Sequence, residues 1–139
     1  MILIDTGPLV AICDPRDAKH MIAVDDLRKL ATAEFAICDA IVSEACFHLP
    51  GRAQRQRLRA ALDKLDVVAF PGATDAGFRY DVFAWLLKYA DHEPDWADAC
   101  IAVLCGADRS LSVWTYDKEF HTTWRRPDGT RIPLAVTPR

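Results

Sequence analysis

Short apolar runs alternate with longer amphipathic segments along this chain. Four of the runs are too short for helices, and each predicts a buried strand. These four predicted strands cover residues 1–4, 34–38, 66–70 and 111–115. A fifth strand is predicted at residues 132–136, after a polar loop over 121–131.

Between these runs, apolar residues recur with the spacing of amphipathic helices. The predicted helices cover residues 9–13, 18–32, 40–49, 52–65, 74–90 and 95–106. Thr6 is placed to cap the first helix and Asp39 the third, and Pro94 separates the last two. The last helix is apolar nearly all round, which predicts a buried position. Short strands alternating with helices predict a three-layer α/β/α fold, in which helices cover both faces of a mostly parallel sheet of four to five strands.

Length and composition are those of one globular domain. The chain has 139 residues, of which 51% are hydrophobic and 27% are charged, so we predict a single domain over residues 1–139. No run approaches the ~20 apolar residues of a membrane span. The apolar N-terminus reaches Asp5 without the basic region of a signal peptide. Five cysteines form no Cys-x-x-Cys pair, which predicts buried free thiols in a reducing cytoplasm.

The charged residues are unevenly distributed. A formal net charge of −3 argues against a strongly basic, non-specific nucleic-acid binder. Residues 50–64, however, carry five basic groups and one acid, a local charge of +4. Residues 91–98 hold four acids and no Lys or Arg. The average charge therefore hides one basic and one acidic segment.

Four carboxylates stand where a site at the edge of the sheet needs them. Asp5 follows the first predicted strand and Asp117 the fourth, so they share one edge if these strands are parallel neighbours. Asp98 and Glu44 lie in helices that are otherwise apolar and contain no Lys or Arg. A buried carboxylate is costly unless it is paired or bound to a metal. Converging acids without cations suit Mg²⁺, which prefers oxygen ligands and activates water at a phosphorus centre.

Each acid also has a purely structural reading. Asp5 could cap the first helix, and Asp98 could be a first-turn acid favoured by the helix dipole. Glu44 could pair with His48 on an exposed face, and Asp117 could be a turn residue. Asp95, three residues before Asp98, could be a fifth acid at the rim, although a cap after Pro94 is the favoured reading.

Four stretches, in this order along the chain, resemble the PIN-domain ribonucleases and most closely the VapC-like toxins of bacterial toxin–antitoxin pairs. They are residues 2–9, 40–44, 95–101 and 114–120. The resemblance covers essentially the whole chain in length and element order. It implies a single PIN-like domain that hydrolyses RNA phosphodiester bonds as a metal-dependent endoribonuclease.

The resemblance also implies roles for the acids. Asp5 and Asp98 would be the main ligands of Mg²⁺ or Mn²⁺, Asp117 would complete the metal cluster, and Glu44 would orient or deprotonate the attacking water. Thr115 would be the hydroxyl companion of this catalytic quartet, and Thr6 and Asp95 would support it. The implied partners are the RNA substrate, an antitoxin protein and a second copy of the chain in a homodimer, with no membrane.

RNA requires cationic contacts. Arg52, Arg55 and Arg59 line one flank of a predicted helix, and a second basic group, containing Arg125 and Arg126, follows Asp117 in the loop. We predict that these arginines bind RNA, since guanidinium groups make bidentate contacts with phosphate. Ordinary solvated faces, or contacts with an acidic segment of an antitoxin, are the alternatives.

Two other classes of protein share part of this pattern. A haloacid-dehalogenase-type phosphatase also has an Asp after its first strand, but it needs a second Asp two residues on, where this chain has Gly7. A catalytically silent PIN-like module would bind RNA or protein without cleaving, and the intact quartet speaks against it. For partner surfaces, the apolar first helix and the face of Trp85 and Tyr89 are candidates, although both could belong to the core.

Overall fold

The computed structural model describes residues 1–70 and 75–137. Within these residues, four strands and seven α-helices follow one another along the chain. They are β1 (Ile2–Ile4), α1 (Thr6–Cys13), α2 (His20–Lys29), β2 (Phe35–Ile37), α3 (Asp39–His48), α4 (Arg52–Lys64), β3 (Val68–Ala69), α5 (Ala76–Lys88), α6 (Trp96–Ala107), β4 (Ser112–Trp114) and α7 (Glu119–Thr122). A single 3₁₀ turn, Ala90–His92, joins α5 to α6.

The strands of the described residues form one parallel sheet in the order β3-β2-β1-β4. The chain moves outward from β1 through β2 to β3 and then returns to the other side of β1 to form β4. Because parallel crossovers are right-handed, this reversal places helices on opposite faces of the sheet. The α/β prediction with a parallel sheet is thus confirmed. The reversal also creates a switch point between β1 and β4, where such sheets bind ligands.

The strands are shorter than predicted, and two of them differ in character. β3 has only two residues, both exposed, because it is the edge strand and has no neighbour on its outer side. The fifth predicted strand, 132–136, is reduced to one bridge between Leu134 and Val113. Pro133 has no N–H, so it cannot donate to a continuing ladder. The structure therefore has four strands in the part that it describes, the lower number of the predicted range.

Three helix starts differ from the sequence prediction. Helix α3 begins at Asp39 itself with Cys38 at its N-cap position, so Asp39 does not cap it. Asp5, not Thr6, caps α1, because its side chain accepts a hydrogen bond from the Thr6 N–H. In the predicted helix over 74–90, α5 begins after Asp75, whose carboxylate accepts from the Phe78 N–H at 2.7 Å. The predicted first residue, Thr74, lies outside the described residues.

The segment after α7 is more ordered than the predicted polar loop. Trp124 is buried and packs edge-on against Trp85, with ring centroids 5.3 Å apart. The Trp85 indole N–H also donates to the Arg125 carbonyl at 2.8 Å. A Cβ added to Gly106 would come within 2.8 Å of Pro127, so a glycine allows α6 to approach this segment closely. These contacts attach the C-terminal segment to α5 and α6.

The core confirms two further predictions. Eight of the twelve residues of α6 are buried, as its nearly all-round apolar character predicted. All five cysteines are free thiols, and four of them are buried. None of the helices in the described ranges has the length and apolar character needed to cross a membrane.

Candidate functional site

The ends of β1 and β4 bring two polar side chains into direct contact. The strands pair in register, with Ile4 beside Trp114, so the next residues of each strand, Asp5 and Thr115, are also neighbours. The Thr115 hydroxyl donates to Asp5 Oδ2 at 2.6 Å, and both residues are buried. A carboxylate separated from Thr115 by 110 positions is thus held at the switch point of the sheet.

The same threonine positions Asp117. Its hydroxyl oxygen accepts from the Asp117 N–H at 3.0 Å, while its proton points to Asp5. Asp117 Oδ1 in turn accepts from the Glu119 N–H at 2.9 Å, just before α7. Asp117 is therefore a turn residue, as its local sequence allows, and its carboxylate also faces the cleft next to Asp5.

The start of α6 supplies two further acids. Asp95 Oδ1 accepts from the Asp98 N–H at 2.8 Å, and Asp98 Oδ2 accepts from the Asp95 N–H at 3.3 Å. This reciprocal pair caps the helix, as the position after Pro94 predicts. Both carboxylates also line the cleft, so capping does not remove them from it.

Glu44 reaches the cleft from α3. Its side chain is one-third exposed, and Oε1 lies 3.9 Å from Nε2 of His48, one turn further along the helix. The predicted pair with His48 is thus present as a long contact. Because both residues also line the cleft, the pair belongs to the site and is not confined to an outer face.

These side chains surround one open cleft of about 400 Å³. All four predicted catalytic acids line it together with two of the predicted supporting residues: Asp5, Thr6, Glu44, Asp95, Asp98 and Asp117. Thr115 is buried directly beneath, where it bonds Asp5. The fold therefore gathers the acids from four separate segments at one edge of the sheet.

The crowding of carboxylates raises their affinity for protons. Burial, with the nearby charges of Asp117 and Glu44, raises the pKa of Asp5 to about 6 despite the hydrogen bonds from Thr115 and Thr6. Burial and the neighbouring carboxylates of Asp95, Asp5 and Asp117 raise the pKa of Asp98 to about 8. Burial and Asp95 also raise the pKa of Glu44. The protein thus does not fully compensate the negative charge at this site.

The donor set matches a hard divalent cation. Every acid in the cleft offers carboxylate oxygens, and the Thr6 hydroxyl lies beside them. Within residues 1–70 and 75–137, no three His, Cys, Asp or Glu side chains are arranged so that they alone could hold a metal ion. Mg²⁺ keeps several water ligands, so it does not require such a closed set. The residues therefore fit an ion held by few carboxylates and by water.

Other cleft residues escaped the sequence prediction. Asp17, Lys19, His48 and Tyr116 also line the cleft, and the Lys19 ammonium lies 5.4 Å from the centroid of the Tyr116 ring. Among the residues that line the cleft, Lys19 is the one Lys or Arg. Its position depends on the loop between α1 and α2 folding back over the site, and no local sequence signal indicates this.

The predicted RNA-binding arginines have different surroundings. Arg126 is buried and donates from Nε to the Cys105 carbonyl at 3.0 Å, while Arg125 bonds the carbonyls of Trp124 and Thr122. Arg55 donates to the carbonyls of Leu49 and Cys46 at the end of α3. These guanidinium groups are used within the fold. Arg52 and Arg59 remain exposed on α4, and none of the five lines the acidic cleft.

The sequence profile of the PIN domain matches residues 2–124, so the chain belongs to the PIN domain family, whose members are typically nucleases. A solved structure with a similar fold is the sarcin–ricin loop cleaving toxin VapC20 of Mycobacterium tuberculosis. The two folds superpose with a TM-score of 0.69 over 88% of this chain and 94% of that one, at 18% sequence identity. A search of curated protein sequences gave no match.

Proposed function

We propose that this protein is a Mg²⁺- or Mn²⁺-dependent endoribonuclease and the toxin of a toxin–antitoxin pair. The observation that carries the proposal is the convergence of Asp5, Glu44, Asp98 and Asp117 on one cleft, with raised pKa values for the first three. Membership of the PIN domain family and the fold shared with VapC20 support it.

Each residue has a role that follows from its surroundings. Asp5, Asp98 and Asp117 would hold the ion directly or through its water ligands, and the ion would polarise the phosphodiester and lower the pKa of a bound water. Thr115 orients Asp5 through its hydroxyl and fixes the backbone of Asp117. The Glu44 side chain is one-third exposed, and its raised pKa suits it to take a proton from the attacking water. Lys19 supplies positive charge at the rim for the substrate phosphate.

A metal titration tests this function. Purified protein stripped of metal with EDTA should leave RNA intact, and cleavage should appear with added Mg²⁺ or Mn²⁺. Ca²⁺, which prefers more ligands and longer bonds, should support much less cleavage. RNA binding without cleavage under every ion would instead identify a catalytically silent module.

We propose that a second copy of the chain binds to an exposed apolar surface on α5. Tyr80, Phe83 and Leu87 form a stripe along α5 and are 57–77% exposed, while the buried face of the same helix carries Val82 and Trp85. The Phe83 ring packs edge-on against Trp96, with centroids 5.0 Å apart. A helix that is apolar on two faces is normally covered on both. Of the surfaces suggested by sequence, Leu9 and Trp85 are buried, and Val10, Ile12 and Tyr89 are partly buried against the core.

A straight stripe along one helix can pack against the same stripe of a second copy in antiparallel orientation. Such a pair has the two-fold symmetry of a homodimer. We expect Phe83→Glu to weaken the dimer at least tenfold, because it places a charge in an apolar contact. Light scattering across a dilution series measures the change, and Asp81→Arg, an exposed position on the side of α5 away from Phe83, is the control. A dimer that survives Phe83→Glu while antitoxin binding is lost would assign this surface to the antitoxin instead.

A further inference from the structure

We infer that a second cleft, next to the acidic one, binds backbone phosphates of the RNA through Arg16, Arg52 and Arg57. This inference rests on the proposed function and specifies how the substrate is held. The basic cleft has a volume of about 470 Å³ and lies between the end of α1 and the start of α4. Asp14 is its one acid, so its lining residues carry a net charge of +2.

The side chains of two of its arginines make no hydrogen bond or salt bridge with the described residues. Residues 52–59 at the start of α4 contain four arginines and no acid. Arg55 is bonded to the end of α3, and Arg59 stands 4.0 Å from Asp63. Arg52 and Arg57 are exposed, and neither side chain makes a hydrogen bond or a salt bridge with the residues that the structure describes. A guanidinium group carries five N–H donors, and here they are available to a ligand.

Arg16 joins them from a separate segment. It belongs to the turn after α1, where its Nε lies 3.6 Å from Asp14 and its side chain is 85% exposed. Because the cation–carboxylate contact is long and solvated, it holds Arg16 only weakly. Cations from two segments thus face one concave surface, an arrangement that the linear sequence does not indicate.

The basic cleft adjoins the candidate active site. Asp14 and Arg16 line the basic cleft, whereas Asp17 and Lys19, from the same turn, line the acidic one. Helix α1 runs from Asp5 in the acidic cleft to the turn, and its eight residues rise about 12 Å. An RNA strand with its scissile phosphate at the acids would therefore reach the basic cleft within a few nucleotides.

The chemistry of the cleft suits phosphate. Arginine forks bind phosphate oxygens in pairs. The first N–H groups of α4 add to this, since its N-cap, Gly51, has no side chain to accept from them. The basic cleft contains no large exposed apolar side chain, which a folded protein partner would need, and the apolar surface of α5 lies elsewhere. These features favour an RNA backbone over a protein segment.

Binding of RNA in EDTA tests the inference apart from catalysis. The probe is a fluorescein-labelled oligouridylate of about a dozen nucleotides, and anisotropy is measured over a range of salt concentrations. We expect Arg52→Gln with Arg57→Gln to weaken binding about tenfold. The slope of log affinity against log salt should fall by about 0.7 for each phosphate that the variant no longer neutralises. In cleavage assays with Mg²⁺, KM should rise with little change in kcat.

The control is Arg28→Gln with Arg79→Gln, which removes the same charge from two arginines outside both clefts. Equal weakening in the two double variants, or wild-type RNA binding by Arg52→Gln with Arg57→Gln, would overturn the inference. Weaker binding of an antitoxin with RNA binding intact would overturn it in favour of a protein partner. If the wild type shows no cleavage, and Arg52→Gln with Arg57→Gln specifically weakens RNA binding, the basic cleft stands and the nuclease proposal falls.

Discussion

Asp98→Asn should reduce RNA cleavage by about 10³-fold or more while leaving the fold intact. Asp98 faces Asp5 and Asp117 across the acidic cleft, and its carboxylate would be one of the main holders of the ion. Metal activation is worth several kcal/mol of transition-state stabilisation, and each 1.4 kcal/mol is a factor of ten. An amide keeps the shape and one oxygen acceptor for the Asp95 N–H, but it lacks the charge that retains the ion. Initial cleavage rates at saturating Mg²⁺ measure the effect.

Asp91→Asn is a matched control for this substitution. Asp91 is exposed in the 3₁₀ turn before α6 and does not line the acidic cleft, so its removal changes the net charge equally without touching the site. We expect it to cleave RNA at nearly the wild-type rate. Circular dichroism and thermal melting establish that both variants are folded. If Asp98→Asn cut RNA as fast as the Asp91→Asn control, the assignment of Asp98 to the metal site would be wrong.

In metal-free protein, the free energy of unfolding should fall as the pH rises from about 4 to about 8. Asp5 and Asp98 have folded-state pKa values of about 6 and about 8, above the ordinary value of 3.8. The folded state therefore keeps protons that the unfolded chain has already released, so each rise in pH in this window favours unfolding. Their contribution to stability is fully present below the ordinary pKa and is lost as the pH passes the folded-state values.

Asp98→Asn removes one source of this dependence. At pH 8 and in EDTA, we expect the variant to be more stable than the wild type by about 1–2 kcal/mol, a figure reduced for the solvent contact of this carboxyl. At pH 4, the difference should vanish. Urea unfolding at several pH values measures it, with Asp91→Asn as the control. A variant less stable than the wild type at pH 8 would mean that capping of α6 by Asp98 outweighs the relief of repulsion.

With Mg²⁺ present, the free energy of unfolding of the wild type should instead rise with pH. An ion that binds only the folded state adds stability by mass action, and it does so most at high pH, where the carboxylates are ionised. The same unfolding series with Mg²⁺ in place of EDTA therefore compares the two conditions directly. Asp98→Asn should gain little from the ion, because it lacks one of the carboxylates that hold it.

Much of the fold followed from local pattern. The alternation of short apolar runs and helices predicted a parallel sheet, and the nearly all-apolar composition of 95–106 predicted its buried position. The number and length of strands were less predictable, because they depend on which backbone groups find partners. Residues 132–136 are apolar enough for a strand, yet Pro133 lacks the N–H of a continuing ladder, and one bridge from Leu134 to Val113 is all that forms.

The acids could be selected from sequence because burial of a carboxylate is costly wherever it occurs. Glu44 and Asp98 interrupt apolar helices, so they were out of place locally, whereas Asp5 and Asp117 follow strands that were predicted to end at one edge of the sheet. The arginines offered no such signal. The local sequence does not distinguish an arginine with an exposed guanidinium group from one whose guanidinium group donates to a distant carbonyl. Arg126 is buried against Cys105, which lies 21 positions earlier, and only the folded chain brings them together.

The sequence by itself determined the order of elements and pointed to four candidate acids, because apolar periodicity and the cost of burying charge act within a few residues. The tertiary structure decided which of these acids share a cleft and which arginines remain available to a ligand. It did so through the order β3-β2-β1-β4, which sets Asp5 beside Thr115, and through the turn after α1, which divides an acidic from a basic cleft. Contacts between residues far apart in the chain carry that information, and no local pattern contains it.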